Sequence, residues 1–359
     1  MFIKKAIQQI LLLPFKLFFS IKQNNLIELG DVNLVLVIWT SISFGTLLSS
    51  RSFFLALKKK YPSAKIKLIV NADVKRKLNK SKLTFNTFFN EAISKSEFKQ
   101  LRKVLRKKNH ISIVPIISEF RLTDHILLRL AKTRARIGVE EFNNIKNPYS
   151  FLFDRRTNIN FTNSPDVHVS QILFEQLKPF GDFGEHENFY LRFNINEERS
   201  IRNLKSELGF KNGNKIILVN LFTEQRQKRI SLDKIIELVN LLYSFGEYQF
   251  CFIDGKRKSN FKIINKHISE DLIFIHKDDY RNLLNLLNFS SLAITCDSEF
   301  MHIAGVVGVP QISIFGPSNP FNLAPIGPKK IFIRKSDLID DIGVEDIFTE
   351  CKKLLNIDN

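Results

Sequence analysis

Short, nearly continuous apolar runs alternate along the chain with longer segments whose apolar residues recur at helical spacing. The runs lie at residues 34–39, 65–70, 111–117, 136–139, 216–219, 250–253, 272–275, 292–295 and 311–315. Such runs are typical of parallel strands covered on both faces, although Pro115 cannot donate to a central ladder. Helical spacing follows most of them, as in residues 122–132, 232–242, 283–287 and 299–307. The alternation predicts βαβ units and parallel sheets, which is an α/β fold.

The 359 residues are enough for two domains. The pattern runs through both halves, and the join falls near residues 179–187 (PFGDFGEHE), after a helical stretch at 167–177. We therefore predict a basic, apolar N-terminal segment at 1–25, one α/β domain at 26–182 and a second at 183–359.

The N-terminal segment is too interrupted for a transmembrane helix, because Gln8, Gln9 and Lys16 divide its apolar runs. It has no small-residue cleavage site of the kind that ends a signal peptide. Its lysines beside Ile and Phe suit a segment lying on a membrane surface. A helix packed against the body of the protein fits the same pattern.

Charge narrows the set of partners. Lys and Arg number 54 against 36 Asp and Glu, a formal net charge of +18, which favours nucleic acid, an anionic membrane face or phosphorylated substrates. No nucleic-acid-binding motif is found. The basic clusters at 58–60, 102–103 and 106–108 are either solvated helix faces or contacts for lipid phosphates.

The cysteines and histidines show no metal-binding pattern. Cys251, Cys296 and Cys351 are far apart and odd in number, so neither a disulfide framework nor a metal site is predicted. Cys251 and Cys296 lie in or beside apolar runs and are expected to be buried thiols in a reducing compartment.

The most informative turn follows the apolar run at 292–295. Asp297 comes just after the strand, Ser298 can act as an N-cap, and His302 lies in the first turns of the next helix. A helix N-terminus offers unpaired N–H groups and a partial positive charge, which suit a diphosphate. An ordinary Asp/Ser cap with a partly buried histidine fits the same residues.

A second turn follows the run at 311–315, in the sequence FGPSNP. Gly316 permits close backbone approach to a ligand, and Pro317 stiffens the loop. By itself, this signal is shared with many turns that follow a strand.

Together, these segments resemble glycosyltransferase family 9, the lipopolysaccharide heptosyltransferases. The stretch CDSEFMHIAGVVGVPQISIFGPSNPFNLAP contains the family's Asp-Ser/Thr turn, a histidine a few residues on, Gly-x-Pro, and Phe-Gly-Pro-Ser-x-Pro. Weaker similarity covers most of the chain, including residues 55–70, 136–138 and the pair Lys228-Arg229.

The resemblance implies a GT-B fold, in which two Rossmann-like domains with parallel sheets face a cleft. It implies an inverting, metal-independent glycosyltransferase without a cofactor, peripheral to the cytoplasmic face of the inner membrane. The donor is expected to be ADP-heptose and the acceptor the lipid A-core. Donor-binding positions, by resemblance, are Lys228, Asp297, Ser298, His302, Gly316 and Pro317.

Two positions depart from the family pattern. Thr46 stands where the family has the Asp expected as general base, and a neutral hydroxyl cannot easily accept the acceptor's proton. Glu299 stands where the donor turn usually has Gly, which sets an anion near the expected diphosphate. Glu119 and Asp124 are alternative candidates for the catalytic base. A different nucleotide-sugar, a non-catalytic paralogue that binds a sugar-nucleotide or lipid, and a nucleic-acid-binding protein remain alternatives.

Overall fold

The computed structural model describes residues 14, 16–22, 29–81, 88–178, 181, 204, 206–211, 213–220, 223, 225–255, 259–268, 272–276 and 279–357. The chain forms two compact units. The first spans residues 1–43, 50–79 and 83–187, and the second spans 44–49, 80–82 and 188–359. Most of the predicted N-terminal segment and nearly all of the predicted join at 179–187 lie outside the described residues. The boundary at 182/183 therefore stays a prediction.

The first unit is built on a mostly parallel sheet in the order β3-β2-β1-β4-β5, with parallel β7 and antiparallel β6 both paired to β5. Its strands are β1 Leu34–Ile38, β2 Lys65–Val70, β3 Glu91–Ser94, β4 Asn109–Val114, β5 Thr133–Phe142, β6 Ile145–Lys146 and β7 Arg155–Ile159. The helices of this first part of the chain, in order, are α1 Phe44–Ser49, α2 Arg51–Lys60, α3 Ala72–Ser81, α4 Phe98–Arg106, α5 Leu122–Leu130 and α6 Val169–Glu175. Helix α1 clusters with the second unit.

Three details of the first sheet differ from the sequence prediction. Strand β4 ends at Val114 rather than residue 117, because Pro115 lacks the N–H that a further ladder bond needs. Strand β5 is much longer than the run at 136–139. Strands β3 and β7 were not predicted, since EAIS and RRTNI contain few apolar residues and owe their pairing to β2 and β5.

The second unit is a parallel sheet in the order β10-β9-β8-β11-β12-β13. Its strands are β8 Lys215–Asn220, β9 Tyr248–Asp254, β10 Ile273–His276, β11 Leu292–Cys296, β12 Gln311–Ile314 and β13 Lys330–Ile333. Its remaining helices are α7 Leu232–Tyr243, α8 Ser259–His267, α9 Tyr280–Phe289, α10 Glu299–Val307, α11 Pro320–Leu323 and α12 Val344–Leu355. Both sheets follow the doubly wound Rossmann strand order, which agrees with the parallel α/β units predicted from the sequence and with the Rossmann-like domains that the resemblance implies.

The core of the second unit lies between its sheet and the helices α7 and α12, which pack together. Cys251, Cys296 and Cys351 are all buried free thiols, which confirms the prediction for the first two. Burial raises the pKa of the Cys296 thiol to about 11 and that of Cys251 still further. No helix in the described part of the chain is long and apolar enough to cross a membrane.

Candidate active site

The second sheet has a topological switch point between β8 and β11. Strand β8 pairs with β9 on one side and with β11 on the other. The connection after β8 leads to β9, whereas the connection after β11 leads to β12 in the opposite direction. Ligands of open parallel sheets bind outside the carboxyl ends of the strands at such a point. The residues that follow β8 and β11 are therefore the candidate site.

Asn220 and Ser298 join the two strands across this point. The side-chain amide of Asn220, the last residue of β8, donates to the Ser298 hydroxyl oxygen over 2.9 Å. Ser298 occupies the predicted N-cap position of α10 but makes no side-chain capping bond to the helix. The hydroxyl is therefore held by Asn220, and the prediction that Ser298 caps the helix is right in position but wrong in its hydrogen bond.

An ion pair lies beside this helix start. The Lys228 ammonium, at the end of the 3₁₀ turn Arg226–Lys228, contacts the Asp297 carboxylate. The Lys228 side chain is 17% exposed and that of Asp297 is 7% exposed. The Asp297 backbone is also fixed, because its N–H donates to the Ile314 carbonyl at 3.2 Å and its carbonyl accepts from the Thr223 hydroxyl at 3.4 Å. The structure thus brings together the lysine and aspartate that the sequence placed 69 positions apart.

His302 is held from the side of helix α1. Its Nδ1 lies 2.9 Å from the Ser49 hydroxyl, and α1 packs along α10. Gly45 approaches the ring so closely that a Cβ there would lie 2.6 Å from the His302 Cδ2. His302 therefore sits in a tight socket made by α1, one turn from the start of α10. Thr46 lies on this helix and is partly exposed.

Glu299, one of the two residues that depart from the family pattern, has a hydrogen-bond partner. The buried Tyr280 hydroxyl, at the start of α9, donates to the Glu299 carboxylate over 2.6 Å. Its carboxylate is thus tethered to α9, although it remains in the first turn of α10.

The Gly316 turn follows β12, the neighbour of β11. The Gly316 carbonyl accepts from the Arg334 Nε at 2.9 Å, and a Cβ at position 316 would lie 3.2 Å from the Asp337 carbonyl and from Ile339. Pro317 is exposed. The close approach of the chain after β13 favours glycine at this position, which is a structural reason in addition to the predicted ligand approach.

Sequence reasoning missed Asn220 and Asp254. Asp254 ends β9, beside β8, and is 2% exposed. Its Oδ1 accepts from the Gly255 N–H at 2.7 Å, while its Oδ2 is buried with no hydrogen-bond partner among the described residues. Burial raises the pKa of this carboxyl. Both residues directly follow apolar runs, and that position was the available signal.

The two candidate bases follow β4 in the first unit and differ in exposure. Asp124 is 2% exposed, and its carboxylate accepts from the Thr40 hydroxyl (2.5 Å) and N–H (3.2 Å), so it fastens the turn after β1. Burial raises its pKa, and the bonds from Thr40 act in the opposite direction. Glu119 is exposed and pairs with Arg121, whose Nε lies 2.7 Å away. No cluster of three potential metal-ligating side chains occurs in the described residues.

Comparison with known proteins identifies one family and several similar structures. The family model of glycosyltransferase family 9 (heptosyltransferase) matches residues 116–342, more than half of the chain. A family 9 glycosyl transferase from Veillonella parvula is 17% identical with a TM-score of 0.75, over 92% of this chain and 99% of that chain. The ADP-heptose LPS heptosyltransferase II of E. coli is 18% identical with a TM-score of 0.70, over 89% and 98%.

The E. coli heptosyltransferase WaaC with ADP-2-deoxy-2-fluoro heptose is 15% identical with a TM-score of 0.64, over 89% of this chain and 99% of that chain. No curated protein matches the sequence. At these identities, the structural similarity shows the fold, which is the predicted GT-B class of two Rossmann-like domains with parallel sheets.

Proposed function

Because the chain belongs to glycosyltransferase family 9, the heptosyltransferase family, we propose that it transfers a sugar from a nucleotide-sugar to a lipopolysaccharide or lipooligosaccharide core acceptor. ADP-heptose is the proposed donor, since one similar structure is an ADP-heptose heptosyltransferase and another contains ADP-2-deoxy-2-fluoro heptose. The donor is assigned to the second unit and the lipid A-core acceptor to the first. The observation that supports this most strongly is the Lys228–Asp297 pair at the β8/β11 switch point.

The donor diphosphate is assigned to the start of α10. Backbone N–H groups at a helix N-terminus and a nearby ammonium both favour a diphosphate. Lys228 supplies the ammonium, and its contact with the Asp297 carboxylate orients it. Ser298 and His302 on α10, together with the Gly316-Pro317 turn after β12, are also assigned to the donor site. Asp254 is assigned to the ribose hydroxyls, since an acid at the end of the second strand of a Rossmann unit takes that role.

The proposed reaction is a direct displacement at the anomeric carbon with inversion. The acceptor oxygen forms the new bond as the bond from the anomeric carbon to the phosphate oxygen breaks, and the nucleoside diphosphate leaves with the electron pair. The acceptor's proton passes to a carboxylate. Lys228 stabilises the charge that develops on the leaving diphosphate, a role for which no metal is needed.

We assign the base to Glu119 rather than Asp124. A base must reach the acceptor hydroxyl, and Glu119 is exposed while the Asp124 carboxylate is buried against Thr40. Thr46 has no acidic group. A non-catalytic protein that binds a nucleotide-sugar is the second candidate, supported by the neutral residue at position 46.

The donor site is tested with Lys228→Ala and the matched control Arg226→Ala, which removes an exposed cation from the same 3₁₀ turn. Purified protein is incubated with ADP-heptose and a Kdo-lipid A acceptor, and ADP release is measured. We expect Lys228→Ala to lose roughly 100-fold or more in rate, while Arg226→Ala stays near wild type. Equal losses in the two variants would contradict the assignment.

The base is tested with Glu119→Gln and Asp124→Asn in the same assay. We expect Glu119→Gln to lose roughly 100-fold in rate with donor affinity unchanged, and Asp124→Asn to lower thermal stability more than rate. Tight donor binding by the wild-type protein without turnover of any acceptor would favour the non-catalytic candidate.

A further inference from the structure

A basic groove lies at the amino end of strands β4 and β5, on the edge of the first sheet opposite to Glu119 and Asp124. Its volume is about 830 Å³, and the residues that line it include no acidic residue. Its exposed cations come from the end of α4, the end of α5 and the start of β5: Arg106, Lys108, Arg129, Lys132 and Arg134. The groove is therefore a concentrated positive site outside the proposed substrate edge.

An apolar stripe leads into the groove along helix α5. Leu122, Ile126 and Leu130 are spaced four residues apart on one face, and they are 47%, 45% and 61% exposed. Residues at this spacing are neighbours on a helix surface. Single exposed aliphatic residues are ordinary, but three in line on a short helix make a continuous apolar strip.

The stripe and the groove are one surface. Leu130 ends the stripe and also lines the groove. Arg129, beside it, lies with its guanidinium 5.1 Å from the centre of the Phe19 ring. The chain neighbours of Phe19 add more apolar area, because Leu17 and Phe18 are about four-fifths exposed. We call these five groove cations, the three α5 residues and Leu17 to Phe19 the basic–apolar face.

We propose that the basic–apolar face docks on an anionic phospholipid membrane. Exposed Leu, Ile and Phe beside a cluster of Lys and Arg are the composition of surfaces that lie in the headgroup region of a bilayer. The cations meet lipid phosphates, and the aliphatic side chains enter the acyl boundary. An RNA partner would use the cations but would leave the α5 stripe in water. The inference rests on the proposed function, since a lipid-linked acceptor must be met at a membrane.

The electrostatic part is tested by sedimentation of the full-length protein with vesicles of phosphatidylglycerol and phosphatidylcholine, against phosphatidylcholine vesicles. The triple variant Arg129→Gln, Lys132→Gln, Arg134→Gln should bind the anionic vesicles roughly 100-fold more weakly, because each basic residue near the surface strengthens binding roughly fivefold. The control Lys262→Gln, Lys266→Gln, Lys329→Gln removes three exposed charges from the second unit. Equal losses in the two triples would overturn the proposal.

The apolar part separates a membrane from RNA. Ile126→Ser with Leu130→Ser should weaken vesicle binding roughly tenfold and leave any RNA binding unchanged, whereas Ile263→Ser with Leu338→Ser, exposed in the second unit, should leave vesicle binding unchanged. RNA binding that depends on the groove, with no vesicle binding, would overturn the membrane assignment.

ADP-heptose affinity, measured without vesicles, keeps the two proposals distinguishable. Variants of the basic–apolar face should retain it. Wild-type donor binding without vesicle binding would overturn the docking surface and leave the proposed function standing. Vesicle binding that depends on the groove, without donor binding, would support the docking surface and contradict the proposed donor site.

Discussion

Gly45 and His302 are packed so closely that the imidazole occupies the space of an absent Cβ. A Cβ at position 45 would lie 2.6 Å from the His302 Cδ2 and 3.3 Å from Cγ. With the Ser49 hydroxyl on Nδ1, this contact fixes the orientation of the ring relative to helix α1. The position of His302 in the candidate site therefore depends on a glycine that lies some 250 residues earlier in the chain.

Gly45→Ala tests that packing, because helix propensity predicts a higher free energy of unfolding and the close contact predicts a lower one. In an exposed helix, Ala stabilises by about 1 kcal/mol relative to Gly. Here we expect a loss of about 1–3 kcal/mol in the free energy of unfolding, since the added methyl must displace the ring. Urea unfolding measures it, with Asn240→Ala, an exposed position in α7 of the same unit, as the control. A stabilised Gly45→Ala protein would show that the contact is not tight.

The Lys228–Asp297 pair predicts strong coupling in a double-mutant cycle. Both side chains are mostly buried, and removing one partner leaves the other charge uncompensated, which costs about 3 kcal/mol. We expect Lys228→Met and Asp297→Asn each to lower the free energy of unfolding by about that amount, and the double variant to be less destabilised than the sum. Additive effects in chemical unfolding would mean that the two charges do not interact.

The sequence predicts elements best where their own residues determine them. Strand β2, Lys65–Val70, and helix α10, Glu299–Val307, have the predicted bounds. The helix is bounded by Ser298 and by Gly308, whose φ of 84° suits glycine. Strands β3 and β7 were missed because their pairing depends on neighbours and not on their own apolar content.

In the candidate site too, single residues could be predicted from the sequence, whereas the contacts between them could not. Position after a strand predicted Asp297, and the resemblance added Lys228, but the contact between Lys228 and Asp297 depends on the strand order that brings β8 beside β11. The bond from Asn220 to Ser298 and the closeness of Gly45 to His302 are likewise tertiary facts, for which local patterns carry no signal. Asp254 was within reach of sequence reasoning, as an acid directly after an apolar run.

Because the Tyr280 hydroxyl holds the Glu299 carboxylate, we expect substitutions at these two positions to change donor affinity in opposite directions. Glu299 lies in the first turn of α10, so its negative charge opposes a bound diphosphate. Glu299→Gln should strengthen ADP binding roughly fivefold, because a like charge near the surface contributes about 1 kcal/mol. Tyr280→Phe removes the hydrogen bond that holds the carboxylate and should weaken ADP binding.

Titration calorimetry with ADP measures both changes. The control Glu237→Gln removes an exposed negative charge from α7 and should leave affinity unchanged. Tyr280→Phe should have little effect in the Glu299→Gln background, where the charge that it restrains is gone. If Tyr280→Phe weakened ADP binding equally in both backgrounds, the tyrosine would act directly and not through Glu299.

We expect the buried ring of His125 to make the stability of the first unit sensitive to acid. The ring is fully buried; its Nδ1–H donates to the Arg121 carbonyl at 2.6 Å, and its Nε2 accepts from the Asn147 amide at 3.1 Å. Burial lowers the pKa of His125 to about 4 from 6.5. As the pH falls, the unfolded chain binds a proton on this histidine at a higher pH than the folded chain does. The stabilisation from the neutral His125 ring is therefore complete above pH 6.5 and is lost as the pH falls toward 4, by about 3 kcal/mol in total.

The measurement is urea unfolding between pH 4 and pH 7 of the wild type, His125→Gln and the control His267→Gln, which changes an exposed histidine. Neighbouring Asp124 has a raised pKa, and its protonation in the folded state opposes the loss over part of this range, so the informative quantity is the difference between proteins. We expect His125→Gln to be destabilised at pH 7 by its lost packing but to show a shallower acid loss than the wild type, whereas His267→Gln keeps the wild-type slope. A His125→Gln protein with the wild-type slope would mean that other groups account for the acid sensitivity.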